Sequence, residues 1–318
     1  MKRHDLTRRQ LLQSSAVLGC AATFPFSRAA AAWGGQKTNQ PAQSVAGDSA
    51  APLTPPASGK IPVAFPISDG AVVIDFCGPW EVFQDASPMG GKGGFQLYTV
   101  AEKNAPIETS GGMKILPNYT FENAPRPKVI VIPAQNGDNE AMYRWIRESS
   151  KTTDVTMSVC TGAFVLAKTG LLSGKSATTH HYAYTDLALK YPDIHVKRGY
   201  RFVEEGKIAS AGGLTSGMDL ALRVVERYYG HDQAMRTALN MEYQGQGWLD
   251  ATGAANAIYA EVGTTASVTC PICGMDIDEK SAPTSAYKGH TYYFCSNDHK
   301  AIFDASPEKA LQMAMANK

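Results

Sequence analysis

Residues Ser158 to Phe164 read "SVCTGAF": a lone cysteine between a short apolar run, Val155 to Val159, and a stretch with the composition of a helix. A short apolar run suits a buried strand, and a helix opening directly behind it makes Cys160 the corner of a strand-to-helix turn. Such corners are strained and need small neighbours, which Thr161, Gly162 and Ala163 supply. A cysteine there sits at the positive end of a helix dipole, which favours thiolate over thiol. The competing reading is a small core hydrophobe, since free cysteine is among the most buried residue types.

Working outward, strand-like and helix-like segments alternate from Lys60 to about Trp248. They are Ile61 to Ile67, Gly78 to Ala86, Phe95 to Ala101, Val129 to Pro133, Asn139 to Ser149 and Val155 to Val159, then the helix after Cys160. Ser176 to Thr179, a helix around Thr185 to Lys190, a hairpin turn across Glu204 to Lys207 and Ile208 to Ala211 continue the pattern. A helix over Ser216 to Tyr229, capped by Gly230, and a last one near Asp232 to Tyr243 complete it. Alternation of this kind predicts an α/β, doubly wound sandwich with parallel strands and crossover helices.

The flanks differ in character. Residues 33–59 are rich in Gln, Pro, Ala, Ser and Gly and read as a disordered linker, and residues 249–267 read as a second linker of small residues. Residues 1–32 hold Thr7-Arg8-Arg9-Gln10-Leu11-Leu12 ahead of an apolar run, Leu11 to Ala22, too short and too rich in Ala, Ser and Gly to span a bilayer. This segment resembles a twin-arginine export signal, with cleavage expected in Arg28-Ala29-Ala30-Ala31-Ala32. Val17-Leu18-Gly19-Cys20 offers the alternative of a lipid anchor on Cys20; a soluble periplasmic product is the expectation. The 318 residues carry 30 basic and 29 acidic side chains, a net charge of +1 with no long basic run, which gives nucleic acid no electrostatic grip.

Three further stretches place chemistry around Cys160. Asp75-Phe76-Cys77-Gly78-Pro79 puts a carboxylate in what reads as a loop at the carboxyl ends of the strands, where open sheets bind ligands. Ser176-Ala177-Thr178-Thr179-His180-His181 ends a strand on paired histidines. Ala209-Ser210-Ala211-Gly212-Gly213-Leu214-Thr215-Ser216-Gly217-Met218-Asp219 is a Gly-rich strand-to-helix turn that lets backbone approach a ligand closely. The plainer alternatives are a turn-capping Asp75, a structural His180, and an Asp219 that merely charges a first helical turn.

"DFCGPWEVF", "SVCTGAFVLAKTGLLSGKSATTHH" and "SAGGLTSGMDLALRVVERYYG" resemble, in order, the DJ-1/PfpI superfamily, in the branch holding isonitrile hydratase and the amidotransferase-like domains of AraC-type regulators. The resemblance covers residues 60–248 and implies a flavodoxin-like sandwich of the class I glutamine amidotransferase kind, usually a homodimer, with the cysteine on a nucleophile elbow. It implies Cys160 as nucleophile, Asp75 as its acid–base partner, Thr161 as an oxyanion donor and His180 as a site histidine. Cys77, Gly78, Ala134 and Gly213 are expected to face a small-molecule substrate. The implied reaction adds water to an isonitrile carbon, giving an N-substituted formamide through a Cys160 adduct and needing no cofactor. Relatives often have Val-Pro-Gly-Gly where this chain has Ile132-Pro133-Ala134-Gln135, which questions a second oxyanion donor, and Cys77 could pair with Cys160 in a disulfide. No helix-turn-helix pattern follows Trp248, so the regulator reading lacks its DNA-binding half. The alternative function is a non-catalytic ligand-, redox- or heavy-metal-sensing protein.

The tail, residues 268–316, supplies that alternative with a site. Cys270-Pro271-Ile272-Cys273 and Cys295-Ser296-Asn297-Asp298-His299 are two chelating turns joined by a hairpin, a Cys3His set suited to zinc or another thiophilic divalent ion. A disulfide between Cys270 and Cys273 or Cys295 is the rival reading. "CPICGMDIDEKSAPTSAYKGHTYYFCSNDHKAIFDASPEKAL" resembles a YHS domain, with His299 where that family often has a second cysteine, and implies a small α+β metal-binding module.

Overall fold

The computed structural model describes residues 50–88, 93–249, 268–273, 276–277 and 280–315. The expected export signal, Cys20 and most of both expected linkers lie outside these residues. Val45–Lys318 forms one compact unit, so the α/β domain and the C-terminal module are treated together.

The strands of the main sheet are β1 (Ile61–Pro66), β2 (Phe95–Ala101), β5 (Tyr119–Thr120), β6 (Val129–Ile132), β7 (Val155–Val159), β10 (Phe202–Glu205) and β11 (Ile208–Ala211). Short pairs β3 (Ile107–Glu108) with β4 (Lys114–Ile115), and β8 (Ser176–Ala177) with β9 (His195–Val196), lie outside it. The order is β10-β11-β7-β6-β1-β2-β5, parallel throughout except for the β10–β11 hairpin, which turns at Gly206 with φ +66°. Helices α1 (Val73–Asp85), α2 (Glu140–Ser150), α3 (Gly162–Lys168), α4 (Tyr184–Lys190), α5 (Ser216–Tyr229) and α6 (His231–Asn240) connect the strands.

Period-two alternation divides the core. Val129 and Val131 of β6 join Phe65, Phe83, Leu220 and Val224 beneath α1, α5 and α6, while Ile130 and Ile132 join Met142, Ile146, Leu166 and Leu187 beneath α2, α3 and α4. Both faces of the sheet are therefore covered, which is why β6, β7 and β11 are buried along their whole length. The doubly wound α/β expectation is met, and the helix over Ser216–Tyr229 has the expected bounds. Among the described residues no helix is long and apolar enough to cross a membrane.

Three local expectations change. Asp75 and Cys77 lie in the first turns of α1, not in a loop, because the helix begins at Val73 and carries Pro79 inside it. Gly230 ends α5 with φ +83° but ψ 165°, an extended glycine conformation rather than the left-handed helical cap. The last part of the expected linker over 33–59 is docked: the Leu53 amide donates to the Arg227 carbonyl at 2.7 Å, Arg227 Nε donates to the Ala51 carbonyl at 3.0 Å, and Leu53 packs on the core.

The C-terminal module contains β12 (Val268–Thr269), β13 (Asp276–Ile277), the antiparallel hairpin β14 (Thr284–Tyr287) and β15 (His290–Tyr293), then α7 (Asn297–Ala305) and α8 (Pro307–Met315). Its core is Cys270, Ile272, Phe294, Phe303 and Ala310, a small store of apolar burial for a module of this length.

Candidate active site and candidate metal centre

Cys160 tops β7 in the left-handed region, φ +57°, a conformation that costs a non-glycine residue of order 1 kcal/mol and persists only when its surroundings enforce it. The enforcement is visible. Its amide donates to the carbonyls of Gly212 at 2.8 Å and Ala211 at 3.2 Å, and its carbonyl accepts from Thr179 Oγ1 at 2.9 Å. Gly162 has no alternative, because a Cβ there would collide with the Ile132 carbonyl oxygen, and one at Gly217 would stand 2.8 Å from Val159 Cγ1. Small residues thus let α3 and α5 crowd against the corner that presents the sulfur.

Asp75 is fully buried beside it. One carboxylate oxygen accepts from the Ala134 amide at 3.1 Å; the other makes no protein hydrogen bond of full geometry, with the Cys160 thiol and the Leu214 amide as the donors beside the carboxylate. Burial pushes the Asp75 carboxyl up to about 6, against the opposing pull of the Ala134, Cys160 and Leu214 donors. Burial first, and then the charge of Asp75, push the Cys160 thiol up to about 12, with the Thr161 amide and hydroxyl and the Leu214 amide opposing. The expectation that the helix dipole favours the thiolate is corrected here: α3 has only seven residues, and desolvation plus a neighbouring carboxylate outweigh it. At neutral pH these shifts leave a largely ionised Asp75 beside a protonated Cys160, with the carboxylate next to the thiol proton.

The other expected site residues fall in different places. Thr161 lies against the sulfur through both its amide and its hydroxyl. The Ala134 amide is engaged by Asp75, so it orients the acid rather than standing free for an oxyanion. His180 packs on Gly213, whose lack of a Cβ admits the ring; it meets His181 and Tyr182 in tilted ring contacts with centroids 4.3 Å away in each case, and its buried Nδ1 has no hydrogen-bond partner. Burial and then the His181 charge push His180 down to about 4, so at neutral pH it is an uncharged imidazole. Gly78 lies where α1 meets α5, a Cβ there standing 3.0 Å from Met218 Cγ. Cys77, two residues from Asp75 on the same helix, cannot share its face, and both Cys77 and Cys160 are free thiols. Asp219 is no mere first-turn charge: it is buried and held by Arg201 and, at 3.1 Å, by the Tyr243 hydroxyl.

Leu214 escapes a reading of the sequence. It sits in the left-handed region at φ +53°, and its amide serves both Asp75 and Cys160. Side-chain identity carries no signal for a backbone donor of this kind, though the flanking glycines mark the turn that bears it.

In the C-terminal module the ligand atoms of Cys270, Cys273, Cys295 and His299 all lie within 4.8 Å of one another. Cys273 and Cys295 Sγ are 3.6 Å apart, and His299 Nδ1 stands 3.2 Å from Cys295 Sγ and 3.6 Å from Cys270 Sγ. Sulfurs on a tetrahedral zinc at about 2.3 Å would stand about 3.8 Å apart, so the donor set fits such an ion. All three cysteines are free thiols, not members of a disulfide. The Cys273 hydrogen bond, with that of His299, holds the Cys270 thiol well below the ordinary thiol range, while Asp186 first and Cys270 next hold the His299 imidazole above its ordinary value.

A profile of the DJ-1/PfpI family matches residues 62–227, over half of the chain, and the YHS domain profile matches residues 268–313. The chain belongs to the DJ-1/PfpI family. This DJ-1/PfpI protein is 34% identical over 175 residues to isonitrile hydratase of Pseudomonas putida, a match covering 54% of this chain and 73% of that enzyme. It is 22% identical over 174 residues to the HTH-type transcriptional regulator GbdR of Pseudomonas aeruginosa, spanning 47% of the regulator. A solved THiJ/PfpI family protein from Pseudomonas syringae superposes with a TM-score of 0.53 at 21% identity, over 82% of this chain and 93% of that one, which establishes the fold.

Proposed function

We propose that the α/β domain is a cysteine-dependent hydratase acting on a small electrophilic carbon of the isonitrile type. The observation that carries this reading is the buried Asp75 carboxylate beside a Cys160 thiol forced into the left-handed region, with the Thr161 and Leu214 amides around the sulfur. Likeness to isonitrile hydratase supports the substrate class. Asp75 takes the Cys160 proton as sulfur bonds to the terminal isonitrile carbon, then returns that proton to the same carbon, leaving a thioimidate on Cys160. Water adds to the thioimidate carbon, its proton passing by way of Asp75 to nitrogen. Collapse breaks the carbon–sulfur bond, expels an N-substituted formamide and returns the proton to sulfur. Atoms balance as isonitrile plus water, and no cofactor is drawn upon.

In the same proposal Cys270, Cys273, Cys295 and His299 hold a divalent cation, zinc by the chemistry of the set, which cross-links a module with too little core of its own. Export through the twin-arginine segment to the periplasm and assembly as a homodimer complete the proposal, supported by the Arg8-Arg9 motif and by the family resemblance respectively.

The test is turnover of a small alkyl isonitrile by the purified full chain, with formamide read by NMR. Cys160→Ala should reduce turnover to the solution background, and Asp75→Asn should cost about 10²–10⁴-fold, the usual worth of a placed acid–base group. Wild-type rates in Cys160→Ala would overturn the proposal. Absence of isonitrile turnover with retained metal binding would favour the second reading, a sensing or binding protein, which the protonated, buried state of Cys160 also suits.

A further inference from the structure

His299 is 6% exposed and faces two ways. Its Nδ1 points among the sulfurs of Cys270 and Cys295, while its Nε2 lies 3.6 Å from a carboxylate oxygen of Asp186, which belongs not to the module but to α4 of the α/β domain. The other Asp186 oxygen is buried without a hydrogen-bond partner. The residue before it, fully buried Thr185, donates from Oγ1 to the Ile272 carbonyl at 2.7 Å, between the two cysteines of the first chelating turn, and is itself fixed by Arg198 Nη2 at 2.8 Å. Consecutive residues of one helix therefore reach both chelating elements. α4 follows directly on the turn His181–Ala183, whose Tyr182 hydrogen-bonds Thr161 at the thiol site.

An imidazole that ligates a cation through one nitrogen normally passes its other N–H to a carboxylate, which selects the ligating nitrogen and fixes the ring. We propose that Asp186 is the positioning residue for His299, so that the cation site of the C-terminal module is completed by α4 of the α/β domain and its loading is felt by the helix that follows the turn beside Cys160. This rests on the Cys3His metal reading given above. The carboxylate fixes Nδ1 as the donor nitrogen, and Thr185 holds the facing turn in register.

The test uses the full chain with Co(II) as a spectroscopic probe and Zn(II) in competition with a chelator. Asp186→Ala should keep the sulfur-to-cobalt charge-transfer bands, because all four ligands remain, yet lose about 10–100-fold in affinity for either ion. Asp186→Asn, which keeps an acceptor but no charge, should lose less. In the wild type, adding metal should slow amide exchange over residues 184–190, and Asp186→Ala should abolish that slowing. Unchanged affinity in Asp186→Ala, or exchange in α4 that ignores metal in the wild type, would overturn the inference while leaving the metal site standing. A wild-type chain that binds neither ion would remove the metal reading and this inference with it. If Asp186→Ala does not fold, the wild-type exchange measurement still decides.

Discussion

Asp75 shows what it costs to bury a carboxyl beside a thiol. Its proton is held more tightly in the folded chain, at about 6, than at the ordinary value of 3.8. A carboxyl raised in this way contributes its stability fully below the unfolded value and loses it as pH climbs through the folded one. Replacing it by neutral asparagine should therefore stabilise the α/β domain more at pH 7.5 than at pH 4, by on the order of 2 kcal/mol, because the buried charge forms only as pH climbs through the folded value. Thermal melts of wild type and Asp75→Asn at the two pH values check this, and an equal difference at both would contradict it. At this scale the sequence singled out Cys160, Asp75 and Thr161 by residue type and by the small neighbours of the cysteine, and the structure brings the three together. It could not disclose the Leu214 amide, which belongs to the backbone, nor the protonated state of Cys160, which depends on how deeply the fold desolvates it.

The elements show which signals were local. Helix α5 was legible to the residue, since an apolar stripe and a terminal glycine bound it. Helix α1 was not: Val72 caps it with no side-chain hydrogen bond, and Pro79 inside it looks like a breaker. That misplaced start put Asp75 and Cys77 in a loop. Pro79 has no N–H, so the Asp75 carbonyl lacks its usual helical donor one turn on. The elbow depends on α3 approaching β6 through Gly162. Gly162→Ala would drive a methyl into the Ile132 carbonyl, and we expect a loss of about 3 kcal/mol or more, with Cys160 reactivity falling alongside. Denaturant unfolding and the rate of thiol alkylation measure the two effects; a stable, normally reactive Gly162→Ala would show that the helix can slide.

Across the whole molecule, composition separated a well-cored α/β body from a cysteine-bearing module with a small core of its own. Composition could not foresee that residues 51–53 strap onto Arg227 or that α4 touches both chelating turns, since both are long-range contacts without a sequence period. Removing the cation with a strong chelator should leave residues 60–248 resistant to trypsin while Lys288 and Lys300 in the module become cut, and re-adding zinc should restore protection; equal resistance with and without metal would argue against a structural ion. The sheet order adds a matter of timing. Strand β7 is flanked on one side by β11, and the Cys160 amide is tied to Ala211 and Gly212, which leave the ribosome much later than the cysteine does. A nascent chain that ends before Ile208 therefore has the sulfur but lacks the Ala211 and Gly212 carbonyls that hold the Cys160 amide in its left-handed corner. The corner that presents the sulfur can be completed only after most of the α/β body has been made.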